Sequence, residues 1–380
     1  MSLNYDKIPS PCYVLEEERL EQNLQLIRSV ADQAGVEIIL AFKGFAMWNT
    51  FYMVKRYLGG ASASSRDEAR LSFEEFGTKA HTYAPAYKED DFKEILSYSS
   101  HLTFNSLSQY DKFKPWVEQH NEPISIGLRV NPEFSDVATD LYNPASPQSR
   151  LGVTAKHLGE GLPQGIEGLH FHVLCESSSF SLQKVLVHFE ERFGHLLKNL
   201  KWVNMGGGHL MTRKGYDTEH LTNLLIDFRE KHDVEIILEP GSAIAWETGD
   251  LVSTVMDIVE NNGVKTAILD VSFTCHMPDC LEMPYRPSVK GASSTISGKG
   301  YPYRLGGLSC LAGDFLEEYS FDQELQPGDR VIFEDMMHYT MVKTTTFNGV
   351  PHPSIGIWHK DNSFELVRQF GYQDYKGRLS

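Results

Sequence analysis

The chain has 380 residues, with 35 Lys+Arg against 51 Asp+Glu and a net charge of −16. That balance speaks against nucleic acid and anionic membranes as partners and is compatible with a cationic substrate. Hydrophobic residues make up 41 % and charged residues 23 %, enough apolar area for a globular enzyme rather than a disordered chain.

Other absences narrow the class further. No apolar run is long enough for a membrane-spanning helix. The first residues lack a basic stretch followed by an apolar core, so no signal peptide is expected. The five cysteines are scattered and odd in number, which points to free thiols in a reducing cytoplasm.

Short β-like runs alternate with amphipathic helical runs along most of the chain. The β-like runs are 37–42, 61–65, 80–84, 102–105, 125–130, 169–174, 202–205 and 234–238. Helical spacing marks 49–57, 66–76, 88–97, 108–119, 182–197 and 218–231, and Ser65-x-x-Glu68 reads as a capping box. Residues 131–150 are irregular, with a short helix near 156–161. Eight strands alternating with helices predict a parallel sheet with right-handed crossovers, and eight is the number that closes a (β/α)8 barrel. After about Gly241 the pattern changes. Residues 251–259, 265–271, 303–305, 330–334, 338–347, 354–358 and 364–370 read as strands separated by turns. The expected architecture is an α/β barrel over 25–245 and a C-terminal all-β domain over 246–380, joined by residues 1–24.

Candidate chemistry gathers at strand ends. Lys43 closes the first strand among apolar residues, where burial would free its amine for Schiff-base chemistry; a lysine snorkelling to solvent is the plainer alternative. His170 and His172 share a face of the sixth run, as core histidines or as groups facing a planar cofactor. Gly206, Gly207 and Gly208 follow the seventh strand, where barrels commonly hold phosphate. Glu239 ends the eighth strand, where a carboxylate suits a protonated ring nitrogen. Cys310, in a glycine-rich loop with Asp314, is a candidate proton donor, and Tyr339 a candidate phosphate donor. Cys275 and Cys280 are spaced unlike a zinc pair and have no second pair nearby, so no metal is expected. A lysine, a histidine, a glycine loop and a carboxylate at four barrel strand ends suit pyridoxal 5′-phosphate.

On these motifs the chain resembles the alanine-racemase-like, fold-type III pyridoxal-phosphate decarboxylases. Within them it resembles the carboxynorspermidine/carboxyspermidine branch. The resemblance rests on Ala41-Phe-Lys-Gly44, His170-Phe-His-Val-Leu-Cys-Glu176, His276-Met-Pro-Asp279, Glu282-Met-Pro-Tyr-Arg286 and Ser309-Cys-Leu-Ala-Gly-Asp314. It implies that Lys43 bonds the cofactor and His172 stacks on its ring. Gly206, Gly207, Gly208 and Tyr339 hold the phosphate, with help from Ser177 or Ser178, because Ser242 stands where relatives carry arginine. Glu239 pairs with the ring nitrogen. Cys310 protonates the product carbon across a homodimer interface, and Cys12–Val14 joins the β domain. Polyamine-like substrates carry cationic amines, so Glu176, Asp279, Glu282 and Asp314 are expected to read them, together with Glu239. Arg286 and Arg304 keep a diaminopimelate reading open, beside ornithine decarboxylase and a non-catalytic regulator.

Overall fold

The structure is a computed structural model describing residues 3–159, 161–283, 285–295 and 300–380. It resolves into two compact units, one holding the residues up to Glu21 and from Ala245 onward, the other Gln22–Ile244. The division falls inside a helix, Glu17–Ala34.

The Gln22–Ile244 unit is a parallel barrel. Its strands are Glu37–Ile38 with Leu40–Ala41, then Ala61–Ala63, Ala80–Tyr83, Ser99–Phe104, Ser125–Arg129, Gly168–His170, Trp202–Asn204 and Glu235–Leu238. Each pairs in parallel with its neighbour in that order. The first is written in two pieces because its halves face different partners. Glu37–Ile38 pairs with Glu235–Leu238, and Leu40–Ala41 pairs with Ala61–Ala63. Backbone bonds from Ile39 to Leu238 (2.9 Å) and from Ala41 to Pro240 (3.1 Å) close the circle.

Helices Glu89–Tyr98, Leu107–Glu118, Ser179–Phe193 and Thr218–His232 lie between strands, as the helical spacing predicts. Ser65 caps the helix Arg66–Leu71 by accepting from the Glu68 N–H (3.2 Å). The reciprocal bond goes from Ser64 N–H to the Glu68 carboxylate (2.6 Å), one residue earlier than a capping box prescribes.

The base of the barrel is plugged by Trp202, which is 2 % exposed and donates from Nε1 to Ser125 Oγ (2.8 Å). Two glycines make room for its ring: a Cβ on Gly127 or Gly168 would sit 2.3 or 2.1 Å from the indole. Such distances are forbidden in a close-packed interior. At the other end the side chains turn polar. Phe42 points outward onto Phe51 (ring centroids 5.1 Å apart) and Phe76. The strand ends at Ala41, and the turn that follows, closed by Gly44 N–H to Ala41 O (3.0 Å), carries Lys43. Gly44 and Gly241 touch backbone to backbone, since a Cβ on Gly44 would lie 2.7 Å from the Gly241 Cα. That approach sets the chain after Lys43 beside the chain after Glu239.

The other unit is built on a mixed sheet. Cys12–Glu16 lies between Gly249–Asn261 (antiparallel) and Ser354–Trp358 (parallel), so the N-terminal strand joins this sheet as expected. Val264–Leu269, Tyr301–Gly306, Arg330–Phe333 and Phe364–Arg368 follow the expected strands. Three features differ from expectation. Phe315–Phe321 and the two-residue Ala292–Ser293 beside it are additional strands. Residues 338–347 are not a strand but turns around a short 3-10 helix, Met341–Lys343. The unit also carries short helices Phe273–His276, Asp279–Glu282 and Tyr372–Gly377. Among the described residues no helix is long and apolar enough to cross a membrane.

Candidate active site

At the mouth of the barrel Lys43 Nζ lies 3.3 Å from His172 Nε2. The other ring nitrogen, Nδ1, accepts from the Gly207 N–H at 2.8 Å. A backbone N–H only donates, so this bond assigns the His172 proton to Nε2. Nε2–H therefore faces Lys43, an arrangement that suits an amine with a free lone pair. The electrostatics agree. Lys43 is exposed to solvent. Even so, the surrounding protein lowers its pKa, first by desolvation and then through the Arg129 cation, against the opposing pull of Glu239, Cys175 and Glu68. His172 is held well below its usual range by burial, then by Lys43 and Arg129, so it is neutral.

Glu239 is the opposite case. Burial alone would raise its pKa, but His170, Asn204 and His81 outweigh it and the carboxyl is held below the ordinary glutamate range. Asn204 Nδ2 donates to Oε1 at 2.7 Å, and His170 Nε2 stands 3.5 Å from Oε2. A carboxylate kept ionised at this depth is what a protonated ring nitrogen requires.

The glycines act through close approach as much as through their amides. A Cβ on Gly206, Gly207 or Gly208 would come within 2.6, 2.3 or 2.3 Å of neighbouring atoms of Phe171 or His172, Glu239 and Leu174. Gly206 and Gly208 also hold φ of +68° and +91°, in the region glycine favours. Two of the three amides expected to hold phosphate are already bonded: Gly206 N–H donates to Asn204 Oδ1 (2.8 Å) and Gly207 N–H to His172. The Gly206 and Gly207 amides are thus committed within the protein, against the phosphate role expected of them. The serines are committed too: Ser177 Oγ bonds the backbone of Cys175, and Ser178 caps the helix Ser179–Phe193.

Sequence reasoning did not single out Arg129. It is buried at 4 % exposure, stacks over the Tyr83 ring (4.5 Å) and donates to His172 O (3.0 Å). Asn204 was missed as well. Both sit at the C-terminal ends of barrel strands, and that position was the available signal.

The remaining expected residues lie in the other unit, except Glu176, which is exposed in the loop after the sixth strand with φ +46°. Cys310 is exposed, its N–H donating to Asn348 Oδ1 (2.8 Å). Tyr339 sits in the turn that replaces the expected strand, with φ +50°. Asp314 requires a correction. It is 5 % exposed, and its carboxylate accepts from Ser272 Oγ (2.8 Å), Thr274 N–H (3.0 Å), Ser309 N–H (3.0 Å) and Ser309 Oγ (2.6 Å). Three of these donors converge on Oδ2 and one on Oδ1, so this buried carboxylate is committed to shaping the Cys310 loop rather than to reading a substrate amine. Asp279 and Glu282 already share a cation, because Lys343 Nζ contacts both, Glu282 at 3.2 Å. Arg286 donates to backbone carbonyls of Ser294, Glu317 and Glu318, which leaves it ill placed to read a distal carboxylate.

An amine of lowered pKa, a neutral flanking imidazole, an ionised carboxylate and a glycine cradle together fit a phosphorylated pyridine aldehyde. Residues 12–337 match the family model described as the pyridoxal-dependent decarboxylase C-terminal sheet domain, and the chain belongs to the pyridoxal-dependent decarboxylase family. It is a carboxy-lyase.

Its relatives are more specific. Carboxyaminopropylagmatine decarboxylase of Synechocystis is 54 % identical over 98 % of this chain and 96 % of its own length. Carboxynorspermidine/carboxyspermidine decarboxylase of Campylobacter jejuni is 44 % identical over 98 % and 99 %. The crystal structure of the C. jejuni carboxynorspermidine decarboxylase complexed with norspermidine superposes with a TM-score of 0.90 at 43 % identity, covering 98 % of this chain and all of that one. Diaminopimelate decarboxylase of Helicobacter pylori, at 17 % identity and a TM-score of 0.80, shares the fold.

Proposed function

We propose that this enzyme decarboxylates carboxynorspermidine and carboxyspermidine to norspermidine and spermidine, with pyridoxal 5′-phosphate held at the barrel mouth. The observation that carries the reading is the convergence of Lys43, neutral His172, ionised Glu239 and the glycine cradle. Bound there, the cofactor supplies an electron sink for the pair left when the Cα–carboxylate bond breaks.

The protein's own groups do the rest. Lys43, with its depressed pKa, offers a neutral amine to an aldehyde and exchanges protons at Nζ. His172 provides a flat neutral face whose orientation is fixed by Gly207. Glu239, ionised and held by Asn204, would pair with the protonated ring nitrogen of the bound cofactor. Cys310 returns a proton to Cα after carbon dioxide leaves, its loop shaped by Asp314; in this reading it acts across a homodimer interface, in the cytoplasm. Asp279 and Glu282 meet the substrate's distal cation by exchanging it for Lys343.

A second reading, decarboxylation of carboxyaminopropylagmatine, is favoured by the 54 % identical relative of that name. A guanidinium presents a planar fork to paired carboxylates, where an ammonium presents a point charge. The test is product analysis by mass spectrometry. Purified protein with pyridoxal phosphate is offered carboxynorspermidine, carboxyspermidine, carboxyaminopropylagmatine, ornithine and meso-diaminopimelate. Norspermidine and spermidine, both lost in Lys43→Ala, are the expected products. Aminopropylagmatine as the dominant product establishes the second reading. Putrescine or lysine as the dominant product overturns both.

A further inference from the structure

Asn204 ends the seventh strand with its side chain inside the barrel, 4 % exposed. Its amide is fixed at both ends. Oδ1 accepts from the Gly206 N–H (2.8 Å), and Nδ2 donates to Glu239 Oε1 (2.7 Å). The flip of an amide is ordinarily ambiguous, but here it is decided: the oxygen must face an N–H and the nitrogen must face a carboxylate. Glu239 is tied to the same loop a second time, its own N–H donating to Gly206 O (2.7 Å). The next amide, Gly207, reaches His172 Nδ1. Two successive amides of the glycine run thus point at the two side chains that would hold the cofactor ring, one directly and one through Asn204.

We infer that Asn204 is a positioning residue, which couples the glycine loop to Glu239 and holds that carboxylate in one rotamer, unprotonated, facing the cofactor's ring nitrogen. This rests on the cofactor reading above. With it, the loop and the ring-nitrogen partner move as one body, so a bound phosphate group and the ring's protonation are mechanically linked. A polar side chain that merely fills the barrel would not need a donor on the Glu239 side.

Other charged or titratable groups act on Glu239 from the surrounding strands: His170, His81, His101, Arg129 and Lys43. Both nitrogens of His170 lack a well-formed partner, and its 3.5 Å approach to Glu239 Oε2 is long for a hydrogen bond. Asn204 therefore supplies the short, directed donor of the pair.

The discriminating substitution is Asn204→Asp. It preserves size and shape but replaces the donor with a second carboxylate at hydrogen-bond distance. Two carboxylates that close share a proton rather than both ionising. The readout is the ring nitrogen itself: holoenzyme loaded with pyridoxal 5′-phosphate carrying nitrogen-15 in the ring, titrated with pH and followed by nitrogen NMR. In Asn204→Asp the midpoint of ring protonation is expected to fall by about one pH unit, a tenfold change in that equilibrium. Asn204→Ala should move it in the same direction by less. In an E239Q background, Asn204→Asp should add no further shift.

A wild-type midpoint in Asn204→Asp holoenzyme overturns the inference, as does a shift that persists undiminished with E239Q. Should Asn204→Asp fail to fold, an unshifted Asn204→Ala overturns it equally. Wild-type protein that takes up no cofactor would overturn the cofactor reading itself, which the unlabelled yellow band reports separately.

Discussion

Gly207→Ala tests the site at its tightest point. The φ of Gly207 is not in the left-handed region, so the substitution carries no intrinsic backbone strain and its effect is a matter of contact alone. The added Cβ would lie 2.3 Å from the Glu239 carbonyl oxygen. Carbon and oxygen approach to about 3.3 Å without a bond between them, so something must yield by about 1 Å. The obstruction is backbone rather than the end of a flexible side chain, and Glu239 is itself pinned by its N–H to Gly206 O (2.7 Å). Overpacking of this kind costs about 1–3 kcal/mol. At roughly 2–4 °C per kcal/mol for a unit of this size, the melting temperature should fall by about 2–12 °C. The same displacement moves Glu239 and the amide that orients His172. A shift of about 1 Å at reacting groups is worth on the order of a hundredfold in rate, so kcat should fall by that order. The assay pairs differential scanning calorimetry with steady-state decarboxylation, using Gly59→Ala as the control. A Cβ on Gly59 meets only Glu37 Oε1, at an ordinary 3.7 Å. If Gly207→Ala melts and turns over like Gly59→Ala, the cradle is not a close-contact device and the reasoning fails.

Asp314→Ala should destabilise the protein by about 1–2 kcal/mol, because it leaves the half-buried Ser309 and Thr274 amides without their acceptor in a loop that is otherwise largely exposed; a normal melt combined with a raised KM would instead make Asp314 a substrate reader. Acid should also weaken the fold. Burial pushes His81 down to about 3 and His209 and His276 to about 4. The unfolded imidazoles take protons below about 6.5 while the native ones do not, so stability is lost as pH falls from 6.5 towards 4, by up to about 1.4 kcal/mol per pH unit for each histidine. Urea midpoints at pH 7 and pH 5 check this, and an equal or higher midpoint at pH 5 would contradict it.

The barrel was legible because its strands are buried on both faces and punctuated by helices. Lys43 could be placed at the end of the first strand from its apolar neighbours alone, although the strand itself stops at Ala41 and Lys43 stands in the turn after it. The helix Glu17–Ala34 was missed although Leu20, Leu24, Ile27, Ala31 and Ala34 form its buried face; the charged residues between them diluted the apolar pattern. Residues 338–347 read as a strand because Val342, Thr344, Thr345 and Thr346 favour extended backbone. The positive φ at Tyr339 and the short helix that follows overrode that propensity. Lys43, His172 and Glu239 could be named from strand ends. Arg129 and Asn204 could not, because which inward positions share a layer depends on the barrel's register, and register is a property of all eight strands at once.

The acidic residues carry a more general point. A net charge of −16 invites every carboxylate near the β domain's loops to be read as a cation acceptor, but a carboxylate can serve a substrate only through lone pairs that its own neighbours leave open or give up easily. Asp314 has four donors upon it, whereas Lys343 bridges Asp279 and Glu282 as a single mobile cation. The first is a fixed strut, since replacing four short bonds with one amine would strand buried donors. The second arrangement is exchangeable. Lys343 is half-buried and tethered by a flexible chain, so an incoming cation that brings the same charge displaces it at little net electrostatic cost. Selectivity among cationic substrates then depends on how well each competes with an internal lysine, which favours ligands that bond both carboxylates at once. On this argument Lys343→Met should lower KM for every cationic substrate and narrow the difference between ammonium and guanidinium tails. Paired KM measurements for carboxynorspermidine and carboxyaminopropylagmatine would refute it if the variant left both values unchanged.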